Sequence, residues 1–152
     1  LAEMNGFYQD MHLLLHTALR EPCANVVPEA HAHGLPCLAT RIDGMPELLP
    51  AASHKLLLEP TQDLDAYQEL GASGCPLAPW VFDPASDTLA KPRFVAPTAC
   101  AEAILELLST GDAYEQASIR AVKLVRDEFL PETAMGRAIR VLDNIVKEGR
   151  GN

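Results

Sequence analysis

Two short apolar runs, separated by what reads as a single capped helix, constrain this chain more than any other feature. His12 to Thr17 reads HLLLHT and Cys37 to Thr40 reads CLAT. Runs this short, apolar on both alternating faces, suit strands buried inside a parallel sheet. Between them NVVPEAHAHG carries helix signals: Asn25 at the N-cap, Pro28 in the first turn where its missing N–H costs little, Gly34 as the stop and Pro36 just beyond. Strand, loop, helix and strand make a βαβ unit, whose crossover helix packs on a sheet face. The expected fold is α/β, a parallel sheet flanked by helices.

Further along, Lys55 to Leu58 reads as a third strand. After it Pro60, Pro76, Pro79, Pro84, Pro92 and Pro97 break up long regular elements, so the stretch from about Ala51 to Pro92 is expected to be a mostly looped insertion. Helical periodicity returns in TACAEAILELLS, with Ile104, Leu105 and Leu108 apolar. The stretch DAYEQASIRAVKLVRDEF follows, where Asp112 and Glu115 suggest a capping box and Tyr114, Ala117, Ala121, Val125 and Phe129 an inner stripe. A last helix from about Glu132 to Lys147 is expected to bury Met135, Ile139, Leu142 and Val146. The chain therefore reads as one domain, residues 1–152, with its terminal helices at about 98–148.

Composition narrows the function. With 152 residues, 48% hydrophobic and 22% charged, the chain has room for a real core. Twenty-one acidic against 12 basic side chains, net −9, would repel a phosphate backbone, so no nucleic acid is expected as partner. No apolar run reaches the ~18 to 20 residues of a membrane span, which points to a cytoplasmic chain. Cys23, Cys37, Cys75 and Cys100 contain no C-x-x-C pair and are expected as reduced thiols. The opening at Leu1, running at once into FYQDMHLLLH, reads as the interior of a domain.

Glu21 and Glu29 carry the functional argument. In an open α/β sheet, ligands lie beyond the carboxyl ends of the strands, where loops lead into helix N-termini. Glu21 falls on such a loop and Glu29 in the first turn of the helix after it. Exposed N–H groups and the helix dipole there suit a diphosphate, and flanking carboxylates suit sugar hydroxyls. On spacing alone, a solvated loop residue and a dipole-complementing glutamate account for the pair better, since glutamates near helix starts are common.

The residues EPCANVVPEAHAHGLPCLATRIDGMPELL resemble the E-x7-E region of the retaining, nucleotide-sugar-dependent glycosyltransferases of family 4. In both, a Glu loop, an apolar Glu-Ala helix, Gly-x-Pro, a strand and a Gly-x-x-Glu turn follow in this order. The likeness runs from about Tyr8 to Leu49 and continues more weakly through RFVAPTACAEAILELL and the last helices. It implies a Rossmann-like, C-terminal donor-binding domain of a two-domain GT-B enzyme, present in part. It also implies a nucleotide-sugar donor, a glycan or lipid-linked acceptor, no cofactor and no metal.

By the same resemblance Glu21 faces the donor sugar as the catalytic residue and Glu29 binds the donor ribose. The backbone around Cys23, Ala24 and Asn25 approaches sugar and diphosphate, and Glu47 is a further acidic site position. His16, from its place near the carboxyl end of the strand, reads as lining the donor pocket or, at least as readily, as a buried, hydrogen-bonded core histidine. The acceptor would sit with the N-terminal domain of the same enzyme, so the isolated chain is expected not to transfer sugar. Polysaccharide or lipopolysaccharide biosynthesis and peripheral membrane association of the full-length enzyme fit this picture. Cys23 and Ala24 stand where the family commonly has an aromatic and then Gly or Pro, and Thr17 and Ala18 where it has Pro-Ser. A catalytically silent sugar-nucleotide module is therefore the rival reading, and a nucleotide-sugar epimerase of the same fold a second.

Other residues have plainer readings. His31 and His33, two apart on a helix, point to different sides, and His12 and His16 stand roughly 13 Å apart at ~3.3 Å per strand residue, so no metal site is expected. Cys23 reads as a small packing residue. Trp80 and Phe82 read as anchors of the insertion or as a platform for an acceptor sugar, and Arg137 and Arg140 as a solvated face.

Overall fold

The computed structural model describes residues 2–64 and 80–149. Helix α1 (Ala2–Gln9) leads into a sheet of three parallel strands in the order β1 (Leu14–His16), β2 (Cys37–Thr40), β3 (Leu57–Leu58). Leu14 lies opposite Cys37, His16 opposite Ala39 and Thr40 opposite Leu58. Helix α2 (Val26–Ala32) forms the first crossover, and a 3-10 helix, Ala51–Leu56, delivers the chain straight into β3. The α/β, Rossmann-like architecture read from the sequence is therefore present.

All four side chains of β2 are buried, as CLAT implies, and the main core gathers around them from Val27, Met45, Leu57, Val95, Leu107 and Ala117. Strand β1 departs from the expected interior strand. It is an edge of the sheet among the described residues, and Leu15 is 42% exposed. Helix α2 ends as its glycine implies. Gly34 has φ 77, its N–H donates to the His31 carbonyl at 3.0 Å and the Leu35 N–H to that of Ala30 at 3.0 Å, closing a Schellman motif.

The prolines proved compatible with more order than expected. Strands β4 (Val81–Asp83) and β5 (Thr88–Ala90) pair antiparallel, with Pro84 in their turn and Pro92 past their end, where a missing N–H disturbs no ladder. Gln62 and Phe94 exchange N–H···O bonds of 2.9 Å at the base, and the Arg93 side chain reaches both Asp63 and the Thr61 carbonyl. The segments on either side of the hairpin, at residues 61–63 and 93–94, are thus pinned together. Pro76, Pro79 and Cys75 lie outside the described residues.

Helices α3 (Pro97–Leu108) and α4 (Gly111–Leu124) flank the sheet, and Leu107, not Leu105 or Leu108, is the buried leucine of α3. Helix α4 is capped two residues earlier than expected. Its cap is Thr110, whose hydroxyl accepts the Ala113 N–H, so the capping box on Asp112 and Glu115 is not formed. The stripe holds at Ala117 and Ala121 but fails at Phe129, because Val125–Phe129 form a π turn closed by Leu130 N–H to the Val125 carbonyl. The extra residue in that turn rotates Phe129 off the core.

Helix α5 (Pro131–Gly149) corrects the expectation of a buried final helix. Met135, Ile139, Leu142 and Val146 are all exposed. Periodicity shows that a helix has an apolar face, not that this chain supplies its cover. Arg137 is not merely solvated: it pairs with the carboxylate and the carbonyl of Glu128. No helix among the described residues is long and apolar enough to cross a membrane.

Candidate active site

The loop from Thr17 to Asn25 carries the chain from the carboxyl end of β1 to α2, and Glu21 lies in its middle. Three contacts hold it. The Glu21 N–H donates to Asp43 Oδ2 at 2.8 Å, and the Cys23 N–H donates back to Glu21 Oε1 at 3.1 Å. Gly44 packs so closely under the loop that a Cβ there would stand 2.3 Å from the Pro22 carbonyl oxygen. The Glu21 side chain is thereby fixed through Oε1, while Oε2 faces His16 Nε2 at 3.9 Å. That gap is too long for a direct hydrogen bond but within reach of a bridging hydroxyl.

Asp43 is the residue the sequence reading missed. It sits just past β2 with φ 44, a left-handed conformation that Asp tolerates better than most residues. Its N–H donates to the Phe82 carbonyl at 2.9 Å, and its Oδ1 accepts the Phe82 N–H at 2.9 Å. One carboxylate therefore joins the Glu21 loop to strand β4. An Asp-Gly pair after a strand is a turn signal. Its partner, 39 residues away, leaves no local signal.

Glu29 lies exposed in the first turn of α2. Its Oε2 accepts the Tyr8 hydroxyl at 2.9 Å, and the Tyr8 ring stacks on His33 with centroids 4.9 Å apart. Burial of the ring, then the hydrogen bond and negative charge of Glu29, push the Tyr8 phenol above its ordinary pKa. Tyr8 is 4% exposed, and its Cβ-to-ring body packs with Ala30 and Leu35. The second carboxylate is thus oriented by α1.

The remaining expected site residues fall around these two. Ala24 is buried in the core, whereas Cys23 is exposed and so is not a packing residue. Asn25 holds the N-cap position, but it has helical backbone angles and its side chain makes no cap bond; its carbonyl accepts the Glu29 N–H at 3.2 Å. Glu47 is exposed in the first turn of a 3-10 helix, Met45–Leu48. Among the described residues no hydrogen bond or ion pair joins Glu29 or Glu47 to the group of His16, Glu21, Cys23 and Asp43.

His31 is 1% exposed, and burial lowers its pKa to about 4; burial also pushes the Cys37 thiol up to about 12, which keeps it protonated and inert. Among the described residues no three His, Cys, Asp or Glu side chains gather as a metal cage. Two cavities adjoin the sheet. One, of about 480 Å³, is apolar and lies beside β1, between Leu15, Leu19, Phe94 and Ile104. The other, of about 320 Å³, opens at the carboxyl ends of β2 and β3 and is lined by charged side chains.

A parallel sheet that presents oriented carboxylates beyond its strand ends is the arrangement of a ligand-binding α/β domain. Residues 1–70 match the family model described as glycosyl transferases group 1. The matched span holds β1 to β3 and Glu21, Glu29, Asp43 and Glu47, and it stops before the β4–β5 hairpin. The match supports glycosyl transfer as the function and a transferase as the kind of enzyme. No curated protein and no solved structure matches the chain.

Proposed function

We propose that the chain is the donor-binding part of a retaining GT-B glycosyltransferase that uses a nucleotide sugar. The observation that carries this reading is the fixed Glu21 carboxylate at the carboxyl end of β1, inside the span that matches the family. Glu21 Oε2 and His16 Nε2, 3.9 Å apart, offer an acceptor and a ring nitrogen to one sugar hydroxyl between them. Glu29 keeps Oε1 for a ribose hydroxyl while Oε2 holds Tyr8. Cys23 and Asn25, exposed and between the two carboxylates in sequence, would meet the diphosphate.

In this reaction the bond from the anomeric carbon to the diphosphate oxygen breaks, and the acceptor oxygen bonds the same face of that carbon. The acceptor proton passes to the departing diphosphate. Glu21 holds and stabilises the reacting sugar and forms no covalent bond to it. The N-terminal domain of the full-length enzyme would bring the glycan or lipid-linked acceptor.

Steady-state kinetics of the full-length Glu21→Gln variant tests the reading. A fall in kcat with donor KM little changed is expected, since the lost interaction is with the reacting sugar. A raised donor KM with kcat untouched would remove Glu21 from that role. Slow release of nucleotide from the donor without acceptor is also expected of an enzyme, and its absence would favour a silent binding module.

A further inference from the structure

The β4–β5 hairpin lies over the carboxyl ends of β2 and β3 and lines the polar cleft of about 320 Å³ there. Arg41 and Glu59 are the residues that directly follow β2 and β3, Asp83 ends β4, and Lys91 and Arg93 follow β5. This is the end of the sheet at which ligands of parallel α/β domains bind, and the volume is near the lower limit of ~300 Å³ for small-molecule pockets.

The charges of the cleft decide what class of ligand suits it. Arg41 is paired with Glu59, and Arg93 with Asp63. Lys91 adds one unpaired positive charge to the lining, and Asp83, whose carboxylate is held charged by the Ser86 hydroxyl first and the Ala85 N–H second, adds one negative. Positive and negative groups therefore cancel, and a free phosphate would find no net field to draw it in.

Donors and acceptors, by contrast, are plentiful and held in place. Arg41 is fixed through Nε by Glu59 and through Nη2 by the His54 carbonyl, and Arg93 through Nε by Asp63 and through Nη2 by the Thr61 carbonyl. Nη1 of both guanidinium groups, and the Lys91 ammonium, have no hydrogen bond or ion pair among the described residues. Fixed, unspent N–H donors beside carboxylate acceptors match a molecule whose every hydroxyl both donates and accepts.

We infer that this cleft is a subsite for a neutral carbohydrate, distinct from the position of the donor sugar at Glu21. Under the proposed glycosyl transfer it takes a sugar unit of the acceptor, so its role in the reaction rests on that reading. Asp43 connects the two places, because the same carboxylate holds Phe82 of the hairpin and the backbone of Glu21.

Binding is tested without any nucleotide, so that its outcome does not depend on glycosyl transfer. Isotope-labelled full-length protein is titrated with methyl glycosides of glucose, mannose and galactose, and amide shifts are followed at Ala85, Lys91 and Arg93. At least one glycoside is expected to move these signals. Lys91→Ala, which removes an exposed and unpaired side chain, should weaken that response by about fivefold or more. Ala90→Trp, which fills the cleft from β5, should abolish it. No shift with any of the three glycosides would overturn the inference. So would inorganic phosphate moving the same amides at lower concentration than every glycoside, which would make the cleft an anion site. In turnover, Lys91→Ala should raise the acceptor KM and leave the donor KM alone; a raised donor KM would place the cleft in the donor site. Loss of transfer in Glu21→Gln with glycoside binding intact separates the two claims.

Discussion

Asp43 Oδ2 accepts the backbone N–H of Glu21 at 2.8 Å across 22 residues of sequence, and its other oxygen holds the Phe82 N–H at 2.9 Å. Two backbone donors need two acceptor oxygens. Asp43→Asn keeps the shape and the tolerance for positive φ but offers one oxygen, so one donor loses its partner at a cost of about 1–3 kcal/mol. Asp43→Gly loses both bonds while relieving the backbone, and Asp43→Ala loses both with the strain retained. The expected order of stability is parent, Asn, Gly, Ala. Chemical denaturation gives the order, and faster amide exchange at Glu21 and Phe82 together checks the cause. Exchange rising at only one of the two amides in Asp43→Gly would show that the residue does not couple the loop to the hairpin.

Gly44→Ala tests the floor of the same loop. The added methyl would lie 2.3 Å from the Pro22 carbonyl oxygen, a backbone atom that cannot swing aside. The loop bearing Glu21 must lift, with destabilisation of at least the ~1–3 kcal/mol typical of overpacking. Thermal unfolding and donor turnover should both suffer. A variant with parental stability and activity would mean that the loop is not seated on this turn.

His31 makes stability depend on acid. Its pKa is lowered to about 4 in the folded chain from an ordinary 6.5, because burial disfavours the imidazolium. As pH falls below 6.5 the unfolded chain takes up a proton that the folded chain refuses, so stability declines down to about pH 4, by up to about 3 kcal/mol. Its Nδ1 is buried without a hydrogen-bond partner among the described residues. Urea denaturation between pH 7 and 4 measures the slope. His31→Gln should flatten it, and an equal slope in that variant would assign the acid sensitivity elsewhere.

Tyr8 predicts the alkaline side. Its phenol titrates above 10 when folded, since burial and Glu29 both oppose the phenolate. The stabilisation is complete below the unfolded value of ~10 and is lost as pH rises through the raised value. Tyr8→Phe should remove this decline and cost roughly 1 kcal/mol near neutrality for the hydrogen bond to Glu29. It should also free Glu29 Oε2 and change donor affinity, while Glu29→Ala weakens donor binding by about tenfold or more. Unchanged nucleotide affinity in both variants, by calorimetry, would remove Glu29 from the site.

The parts of this fold that could be read beforehand are those whose causes are local. Cys37 to Thr40 is apolar on every residue and became the buried central strand; Gly34 had to end α2 because the chain there adopts a left-handed turn. The places of Glu21 on the loop after β1 and of Glu29 in the first turn of α2 were legible through the order of elements around them. What escaped notice depends on pairs far apart. Asp43 and Phe82 recognise each other through backbone groups that every residue carries, and Tyr8 reaches Glu29 from a different helix. Gln62 and Phe94 meet through main-chain bonds alone, so proline content could not reveal the β4–β5 hairpin between them. The failure at Phe129 came from a single π turn that shifts the helical phase.

The stripe of Met135, Ile139, Leu142 and Val146 along α5 has a consequence for handling this chain in solution. Two opposed forces act between copies: a net charge of −9 holds them apart, and the uncovered stripe draws them together. Added salt weakens the first, since the screening length falls from ~30 Å at 0.01 M to ~8 Å at 0.15 M, while salting-out ions such as sulfate strengthen the second. The colloidal optimum therefore lies at low ionic strength. Ammonium sulfate should bring the chain out of solution at lower concentrations than its acidic composition alone suggests, and replacing Ile139 and Leu142 with lysine should raise that threshold even though two negative charges are cancelled.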